Sequence, residues 1–407
     1  MSEVETTEIH AYPMARSCPL RPPNEYEQLR EARPVARHML PSGRPVWLIT
    51  SHELARRVLA DPRISSDRTH PGFPLPYPIE DPEALRGLFR FSQSLIGLDP
   101  PEHTVRRRLI IPEFTVKRVQ TLRPRIQEIV DGRIDEMLAG ESRTDLVQAL
   151  ALPVPSLALC ELLGVPYADR GFFESRTKIQ INHNSSLEER QKANGELMSY
   201  LDRLVAAKEE EPGEDLLGRL IVKNRESGTL EHGEVVALAA LLLIAGYETT
   251  ANMIGLGVIG LLENPKQLAA LEADPSLASQ TVDELLRYFS ISDTAGSRVA
   301  LADIEIGGEI IPAGEGVMAL SLAGNWDPAA FDAPEKLDTG RDARQHLAFG
   351  HGPHQCIGQN LAKLELEVTL TTLFRRIPTL RLAVPAEDLP YKGDANTYGV
   401  HELPVEW

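Results

Sequence analysis

Hydrophobic residues along this chain recur mostly with the spacing of helices. The longest such pattern runs from about residue 233 to 263 and is apolar nearly all round, which is typical of a helix at the centre of a protein. At 1.5 Å per residue, these roughly 30 residues would extend roughly 45 Å. Asn264-Pro265 ends the pattern, because proline cannot continue a helix. Shorter helical patterns cover residues 102–111, 116–138, 187–210, 216–224, 276–289 and 359–376.

Short extended segments are fewer and lie mostly late in the chain. Gly307-Gly308 predicts a hairpin among them, and Ser51 is expected to cap a helix after the first of them. Many helices with a minor set of short strands predict a mostly α, α+β fold. No linker separates two self-contained patterns, so we expect a single domain over residues 1–407, with an irregular Pro-rich segment at 1–24. The extended segments cover residues 45–49, 297–300, 304–307, 309–311 and 316–321.

Composition and charge exclude several classes of partner. The formal net charge of -17 argues against nucleic acid as a partner. The acidic first residues lack a signal-peptide pattern, and the longest near-apolar run, 235–246, is shorter than the about 20 residues of a membrane span. The three cysteines are far apart and odd in number, so they form no disulfide framework or zinc spacing. We therefore expect a cytoplasmic protein without a membrane anchor.

The long apolar helix is interrupted midway by a polar turn, Tyr247-Glu248-Thr249-Thr250. A carboxylate and two hydroxyls are costly inside a protein unless they are used. One interpretation is structural, with a threonine hydroxyl bonded to a carbonyl one turn earlier and Glu248 in an ion pair. The other interpretation is that these side chains perform chemistry.

The stretch 349–358 contains one cysteine and three glycines, and a helical pattern follows it at once. A cysteine at a helix N-terminus meets unpaired backbone N–H groups and the positive end of the helix dipole, which favour the thiolate. Glycines allow a flat, bulky group to approach the backbone closely. The pattern suits a thiolate that ligates a metal, although a buried structural cysteine is the more common alternative for a single cysteine.

Phe349, Gly352, Cys356 and Gly358 match the signature Phe-x-x-Gly-x-x-x-Cys-x-Gly of the cytochromes P-450. The chain resembles the soluble, actinomycete-type bacterial members of that family over nearly its whole length. The resemblance implies the cytochrome P-450 fold and heme b, with Cys356 as the axial ligand of iron and Phe349, Gly350 and Gly358 around the cofactor. A thiolate ligand favours cleavage of the O–O bond.

The resemblance also assigns roles to the polar turn. Ala245-Gly246-x-Glu248-Thr249 looks like the oxygen-activation motif of the family. Ala245 and Gly246 would make room for O2, the hydroxyl of Thr249 would hold oxygen and water, and Glu248 would relay protons from solvent.

Further residues match the family by their positions in the chain. Glu284 and Arg287 form a Glu-x-x-Arg motif, a spacing that is ordinary on helices, and Arg341 is the candidate third member of this structural lock. Four cations are candidates for the haem propionates, and a solvated charged face is the alternative for each one alone. They are His103, Arg107, Arg298 and His354.

Residues 101–125 carry seven Lys or Arg against two Glu, a local charge of 7 − 2 = +5 in an acidic chain. The resemblance puts this segment on the thiolate side, so we expect part of it to dock an acidic ferredoxin, which an NAD(P)H-dependent ferredoxin reductase would reduce. The alternative for two of the arginines is burial against haem. The seven cations are Arg106, Arg107, Arg108, Lys117, Arg118, Arg123 and Arg125.

The resemblance implies a monooxygenase that inserts one atom of O2 into a hydrophobic small molecule by hydroxylation or epoxidation. Many actinomycete relatives act on secondary metabolites such as macrolides and other polyketides. Alternatives are a peroxygenase or an oxidative-coupling enzyme, against which the Glu248-Thr249 pair counts, and a non-enzymatic haem sensor. A cysteine hydrolase with Cys356 as nucleophile and His351 or His354 as base would leave the long helix unexplained.

Overall fold

Helices dominate the computed structural model, which describes residues 12–75, 94–181, 185–393 and 397–407. The mostly α, α+β prediction is confirmed. The chain forms two compact units, each assembled from separate stretches. The prediction of one domain over residues 1–407 stays a prediction. The first unit takes in Met1–Asp99, Ser292–Glu335 and His346–Gln355, and the second takes in Pro100–Ile291, Lys336–Gln345 and Cys356–Trp407.

The α-helices of the described residues lie mostly in the second unit. In chain order they are α1 (Asn24–Ala32), α2 (His52–Ala60), α3 (Glu102–Ile110), α4 (Val116–Gln120), α5 (Arg123–Ala139), α6 (Pro153–Leu163), α7 (Arg170–Ile181), α8 (Leu187–Glu210), α9 (Leu216–Ser227), α10 (His232–Leu262), α11 (Pro265–Ala273), α12 (Ala278–Phe289), α13 (Ser321–Asn325) and α14 (Gln359–Arg376).

The strands are short. They are β1 (Val35–Met39), β2 (Pro45–Ile49), β3 (Ile64–Ser65), β4 (Arg143–Asp145), β5 (Gly296–Ala300), β6 (Ile304–Ile306), β7 (Glu309–Ile311), β8 (Gly316–Ala319), β9 (Arg381–Leu382) and β10 (Pro404–Glu406).

A five-stranded sheet in the order β1-β2-β8-β5-β3 organises the first unit. The β2 and β8 strands are parallel, whereas β5 runs antiparallel to β8, with Arg298 opposite Val317. Trp47, Val58 and Leu347 are buried in the apolar core on this sheet, and β6 and β7 form the predicted hairpin. The sheet therefore fixes β5, the strand that carries Arg298.

The second unit is built around α10, which packs against α6, α8, α12 and α14. Glu231 and Glu234 cap its start, and Pro265 begins the next helix directly after it. By length and composition alone, α10 could cross a membrane, but 61% of its most apolar 18-residue window is buried in the protein. That burial is typical of the core helix that the sequence predicts.

Several predicted bounds change for identifiable reasons. The helix expected at 116–138 is two helices, because Pro124 cannot donate the backbone bond that would continue α4 but fits the first turn of α5. Ser51 occupies the N-cap of α2 without a capping side-chain bond. Instead, the backbone N–H of His52 donates to Asp327 Oδ2 at 3.0 Å.

Candidate functional site

The polar turn of α10 lies beside an exposed apolar window in an otherwise buried helix. Residues 241–243 and 250–261 are buried, yet Ile244 is 44% exposed and Ala245 is exposed as well. Gly246 faces α6 instead of the exposed side, since a Cβ there would lie 3.1 Å from Leu159 Cδ2 of that helix. Close packing of α6 therefore explains this glycine, whereas Ala245 lines the open side.

Thr249 and Glu248 are both held by the protein. The Thr249 hydroxyl donates to the carbonyl of Ala245 at 2.7 Å, the back-bond expected of the structural interpretation. A hydroxyl oxygen that donates its proton can still accept a hydrogen bond. Lys392 Nζ donates to Glu248 Oε1 at 3.0 Å, and the Glu248 side chain is 29% exposed. The arrangement thus satisfies the structural interpretation, and the Glu248 carboxylate is still partly open to solvent.

Sequence reasoning missed Lys392, which is 6% exposed. It lies 144 residues after Glu248, in a C-terminal segment without helical or strand periodicity, so no local pattern could identify the pairing. Its Nζ also donates to Asn252 Oδ1 at 2.8 Å.

Cys356 lies just before α14, as the sequence predicts. Backbone N–H groups of Gly358 and Gln359 donate to its sulfur, and the guanidinium of Arg107 acts on it electrostatically. Burial nevertheless raises the pKa of the Cys356 thiol, and these donors and the cation only partly offset it. The helix start therefore does not produce a thiolate by itself, and a bound cation would have to stabilise the charged sulfur.

His103 and Arg107 lie one turn apart on α3, on one helical face. His103 is 2% exposed. Burial lowers the pKa of Arg107, and the neighbouring Cys356 opposes that shift. The second unit therefore brings Arg107 and Cys356 together.

Arg298 on β5 is a buried guanidinium in the first unit. Its Nη1 donates to the carbonyl of Ser297 at 2.8 Å, and no described carboxylate forms an ion pair with it. Burial lowers the pKa of Arg298 to about 10, with Arg68 lowering it further and Asp99 opposing. Gly296 has a φ of 150°, which side-chain-bearing residues rarely adopt, and a Cβ there would displace the Arg298 guanidinium. Arg68, which was not predicted from the sequence, and Asp99 both act on Arg298 electrostatically.

The part of the cysteine loop in the first unit depends on two glycines in the left-handed region. Gly350 has a φ of 69°, and Gly352 has a φ of 75° with its backbone against Leu59, where a Cβ would lie 2.5 Å from the carbonyl oxygen. Only glycine fits these positions without strain. Phe349 packs against His346 with ring centroids 5.5 Å apart, and His354 ends a single 3₁₀ turn.

The Glu-x-x-Arg pair of α12 is completely buried. Arg287 Nε donates to Glu284 Oε2 at 2.7 Å, and Arg341 Nε donates to Glu284 Oε1 at 3.3 Å. The backbone N–H of Asp338 also donates to Oε1, at 2.9 Å. These bonds satisfy a charge that would otherwise be costly to bury, and they fix the segment that carries Arg341.

The site residues predicted from the sequence fall in both units. In the second unit lie His103, Arg107, Ala245, Glu248, Thr249, Glu284, Arg287, Arg341, Cys356 and Gly358, and in the first unit lie Arg298, Phe349, Gly350 and His354.

Each unit has features that suit a part of haem, an apolar ring with two carboxylates and a metal. In the second unit, Ile244 and Ala245 offer an apolar surface, and the Cys356 sulfur accepts from two backbone N–H groups. In the first unit, Arg298 is a buried guanidinium without an ion pair to any described carboxylate. Across the described ranges, no three His, Cys, Asp or Glu residues gather into a metal site.

Comparisons with known proteins agree. The family model described as Cytochrome P-450 matches residues 167–379. The vitamin D3 dihydroxylase of Streptomyces griseolus is 49% identical over 404 residues, which cover 99% of this chain and 98% of the relative. The crystal structure of cytochrome P-450 MoxA from Nonomuraea recticatena superposes with a TM-score of 0.92 at 54% identity, covering 98% of each chain. The mycinamicin VIII C21 methyl hydroxylase MycCI of Micromonospora griseorubida, bound to mycinamicin VIII, gives a TM-score of 0.87 at 41% identity, covering 98% of this chain and all of that one.

Proposed function

Because this chain belongs to the cytochrome P-450 family and is a monooxygenase with a cysteine-ligated haem, we propose that it hydroxylates or epoxidises a hydrophobic secondary metabolite such as a macrolide or other polyketide. Haem, when bound, supplies the centre at which O2 is activated with two electrons and two protons. Two relatives whose names state a hydroxylation, of vitamin D3 and of mycinamicin VIII, support an apolar substrate and a hydroxylated product.

We propose that Cys356 is the cysteine ligand. The observation that carries this assignment is the pair of backbone N–H donors, from Gly358 and Gln359, aimed at its sulfur. Such donors stabilise a thiolate and restrain the electron density that it donates. A Cβ at Gly358 would lie 3.9 Å from the sulfur, so a longer side chain there would crowd the ligand. Phe349 and Gly350 would shape the loop before it.

The haem propionates would be held by His103, Arg107, Arg298 and His354. Support is strongest for Arg298, because its buried charge gains most from an anionic partner. Arg68 joins this proposed set through its electrostatic interaction with Arg298.

Thr249 and Glu248 would handle protons during oxygen activation. Thr249 keeps an accepting oxygen at the exposed window of α10, next to Ala245. The partly exposed carboxylate of Glu248 can take protons from solvent and pass them on. Glu284, Arg287 and Arg341 would act structurally, by fixing the protein around α12.

Electrons would come from an acidic ferredoxin that docks on the stretch 105–117. Four of the cations predicted for this role are engaged in ion pairs, namely Arg106, Arg118, Arg123 and Arg125. Arg108 and Lys117 are exposed and have no ion pair among the described residues. Exposed apolar residues lie in the same stretch, Val105 at 45%, Ile111 at 44% and Val116 at 61%. An apolar centre with cations around it suits a transient, electrostatically steered partner.

Peroxide-driven oxygenation is a second candidate. The accepting oxygen of Thr249 and the partly exposed carboxylate of Glu248 count against it. Product formation from hydrogen peroxide without reductase, at a rate equal to that of the ferredoxin system, would favour it.

We also propose a cytoplasmic location, which the three free cysteines, Cys18, Cys160 and Cys356, support.

The optical spectrum of the dithionite-reduced protein with carbon monoxide tests the central assignment. We expect a strongly red-shifted Soret band in the wild type and its loss in Cys356→Ser. Cys160→Ser is the matched control, since this buried cysteine of α6 should leave the band unchanged. A conventional haem–CO band in freshly purified wild-type protein would contradict Cys356 as the ligand.

A further inference from the structure

The acid of the proposed proton relay is bound to a buried lysine from the C-terminal segment. Glu248 and Asn252 lie four residues apart on one face of α10. Lys392 Nζ donates to Glu248 Oε1 at 3.0 Å and to Asn252 Oδ1 at 2.8 Å. Asn252 Nδ2 in turn donates to Thr397 Oγ1 at 3.1 Å. One ammonium group therefore connects this face of α10 to the C-terminal segment.

The backbone around Lys392 is fixed in several ways. Its N–H donates to the carbonyl of Gly399 at 2.9 Å, and the rings of Tyr391 and Tyr398 stack with centroids 5.7 Å apart. Gly399 lies so close to Asn252 that any Cβ would collide with it. A lysine side chain normally has many rotamers, but this one starts from a rigid backbone and ends in two hydrogen bonds. Its position is therefore built into the fold.

Lys392 fixes the position of the Glu248 carboxylate. A buried ammonium is costly without a carboxylate partner, and Glu248 supplies that partner through the contact of Lys392 Nζ with Oε1. Lys392 binds only one carboxylate oxygen, Oε1, and Oε2 has no hydrogen-bond partner among the described residues. The Glu248 side chain is 29% exposed, so Oε2 is left to bind water.

We infer that Lys392 is a positioning residue for proton delivery: it holds the Glu248 carboxylate by Oε1, so that Oε2 is left to pass protons from solvent toward Thr249. Each proton that Oε2 accepts from solvent is passed on, and the carboxylate is regenerated. This inference rests on the proposed role of Glu248 and Thr249.

The test compares Lys392→Met, which removes the charge at nearly constant length, with Lys392→Arg, which keeps it. In Lys392→Met we expect the amount of product formed per NAD(P)H to fall several-fold. Removing the partner that orients a functional group typically lowers activity roughly tenfold, and we expect a loss that approaches this value. Lys392→Arg, which keeps a donor for Oε1, should restore the amount of product formed per NAD(P)H at least in part.

Infrared difference spectra observe the same carboxylate without turnover. The difference between wild type and Glu248→Gln identifies the Glu248 carboxylate band, and this band should change frequency in the Lys392→Met background, because Oε1 has lost its hydrogen bond. Lys208→Met is the matched control, because Lys208 is also buried, at 8% exposure, and is paired with Asp215 on a different part of the unit. That control should leave the coupling and the band unchanged.

Combined variants separate failure of the inference from failure of the proposed function. If Lys392 acts through Glu248, Lys392→Met should have no additional effect on coupling in a Glu248→Gln background. Unchanged coupling and an unchanged carboxylate band in a Lys392→Met protein with an intact thiolate CO spectrum would overturn the inference. Unchanged coupling in Glu248→Gln alone would instead overturn the role of Glu248. Should Lys392→Met fail to bind haem, Lys392→Gln beside Lys392→Arg makes the same comparison.

Discussion

Thr249 combines a structural hydrogen bond with an unused accepting capacity. Its hydroxyl proton goes to the carbonyl of Ala245 at 2.7 Å, which fixes the direction of the oxygen lone pairs. A fixed acceptor orders a neighbouring water better than a rotating hydroxyl does. The structural and the chemical interpretation of this residue therefore support one another.

Replacing Thr249 with valine tests the chemical part at nearly constant shape. In Thr249→Val we expect less product and more hydrogen peroxide per NAD(P)H, because the water-holding oxygen is gone. The lost hydrogen bond should lower the free energy of unfolding by only about 1 kcal/mol. Coupling and peroxide release are measured beside Thr249→Ser, which keeps the hydroxyl. A stability loss without extra peroxide in Thr249→Val would leave only the structural role.

Residues with a local signal could be proposed from the sequence, and residues defined by distant partners could not. Cys356 was proposed from four residues of a ten-residue stretch, and Thr249 from a polar break in an apolar helix. Lys392 and Arg68 have no such signal, because their partners, Glu248 and Arg298, are more than 140 residues away in the chain. Long-range pairing of this kind is set by the tertiary fold.

At the scale of elements, α10 is joined to α8 by a histidine whose pKa is raised by its partners. His232, the first residue of α10, lies between Glu209 at 2.9 Å and Asp202 at 3.2 Å, both on α8. Hydrogen bonding to Glu209 is the main reason that the pKa of His232 is raised above 6.5, against a smaller opposing effect of burial. The protonated imidazole thus stabilises the contact between these two helices.

The sign of the resulting pH dependence follows from the raised pKa. A group with a higher pKa in the folded state contributes its full stabilisation below the unfolded pKa of about 6.5 and loses it as pH rises through the folded value. We therefore expect the thermal unfolding midpoint of wild type, relative to His232→Gln, to be higher at pH 6 than at pH 9. Calorimetry at both pH values measures this difference. An equal difference at the two values would exclude protonation of His232 as its source.

Element boundaries were predictable where a pattern began and ended with clear residues. The helix predicted at 359–376 matches α14, because a glycine-rich loop precedes its helical periodicity. The helix α6 was missed, since it is apolar on nearly all sides and contains Pro153 and Pro155 in its first turn. Those prolines fit a helix start, but in a sequence they resemble a loop.

At the scale of the whole molecule, charge is unevenly distributed. The chain carries -17 overall, yet the stretch 105–117 exposes Arg108 and Lys117 beside three apolar side chains. An acidic ferredoxin would be repelled by most of an acidic surface and attracted to such a stretch. Electrostatics of this kind acts on the association rate and orientation more than on affinity.

Charge reversal at Lys117 tests this distribution. We expect Lys117→Glu to slow reduction by the ferredoxin several-fold at low salt. The difference from wild type should shrink as salt is added, because the Debye length falls from roughly 30 Å at 0.01 M to about 8 Å at 0.15 M ionic strength. Stopped-flow reduction measures the rate. Lys266→Glu makes the same charge change on the exposed side of α11 and should have little effect. Equal slowing by both variants, or no salt dependence, would contradict docking at this stretch.

The interleaved composition of the two units has a consequence for biosynthesis. The chain crosses from one unit to the other five times, after Asp99, Ile291, Glu335, Gln345 and Gln355. Neither unit can be completed from an early part of the nascent chain, because the first needs residues up to Gln355 and the second needs residues beyond it. Many multidomain proteins fold from the N-terminus during synthesis, one domain at a time. Here the ribosome must have made most of the polypeptide before either unit is whole, and the final crossing directly precedes Cys356, so the proposed ligand is among the last parts to be translated.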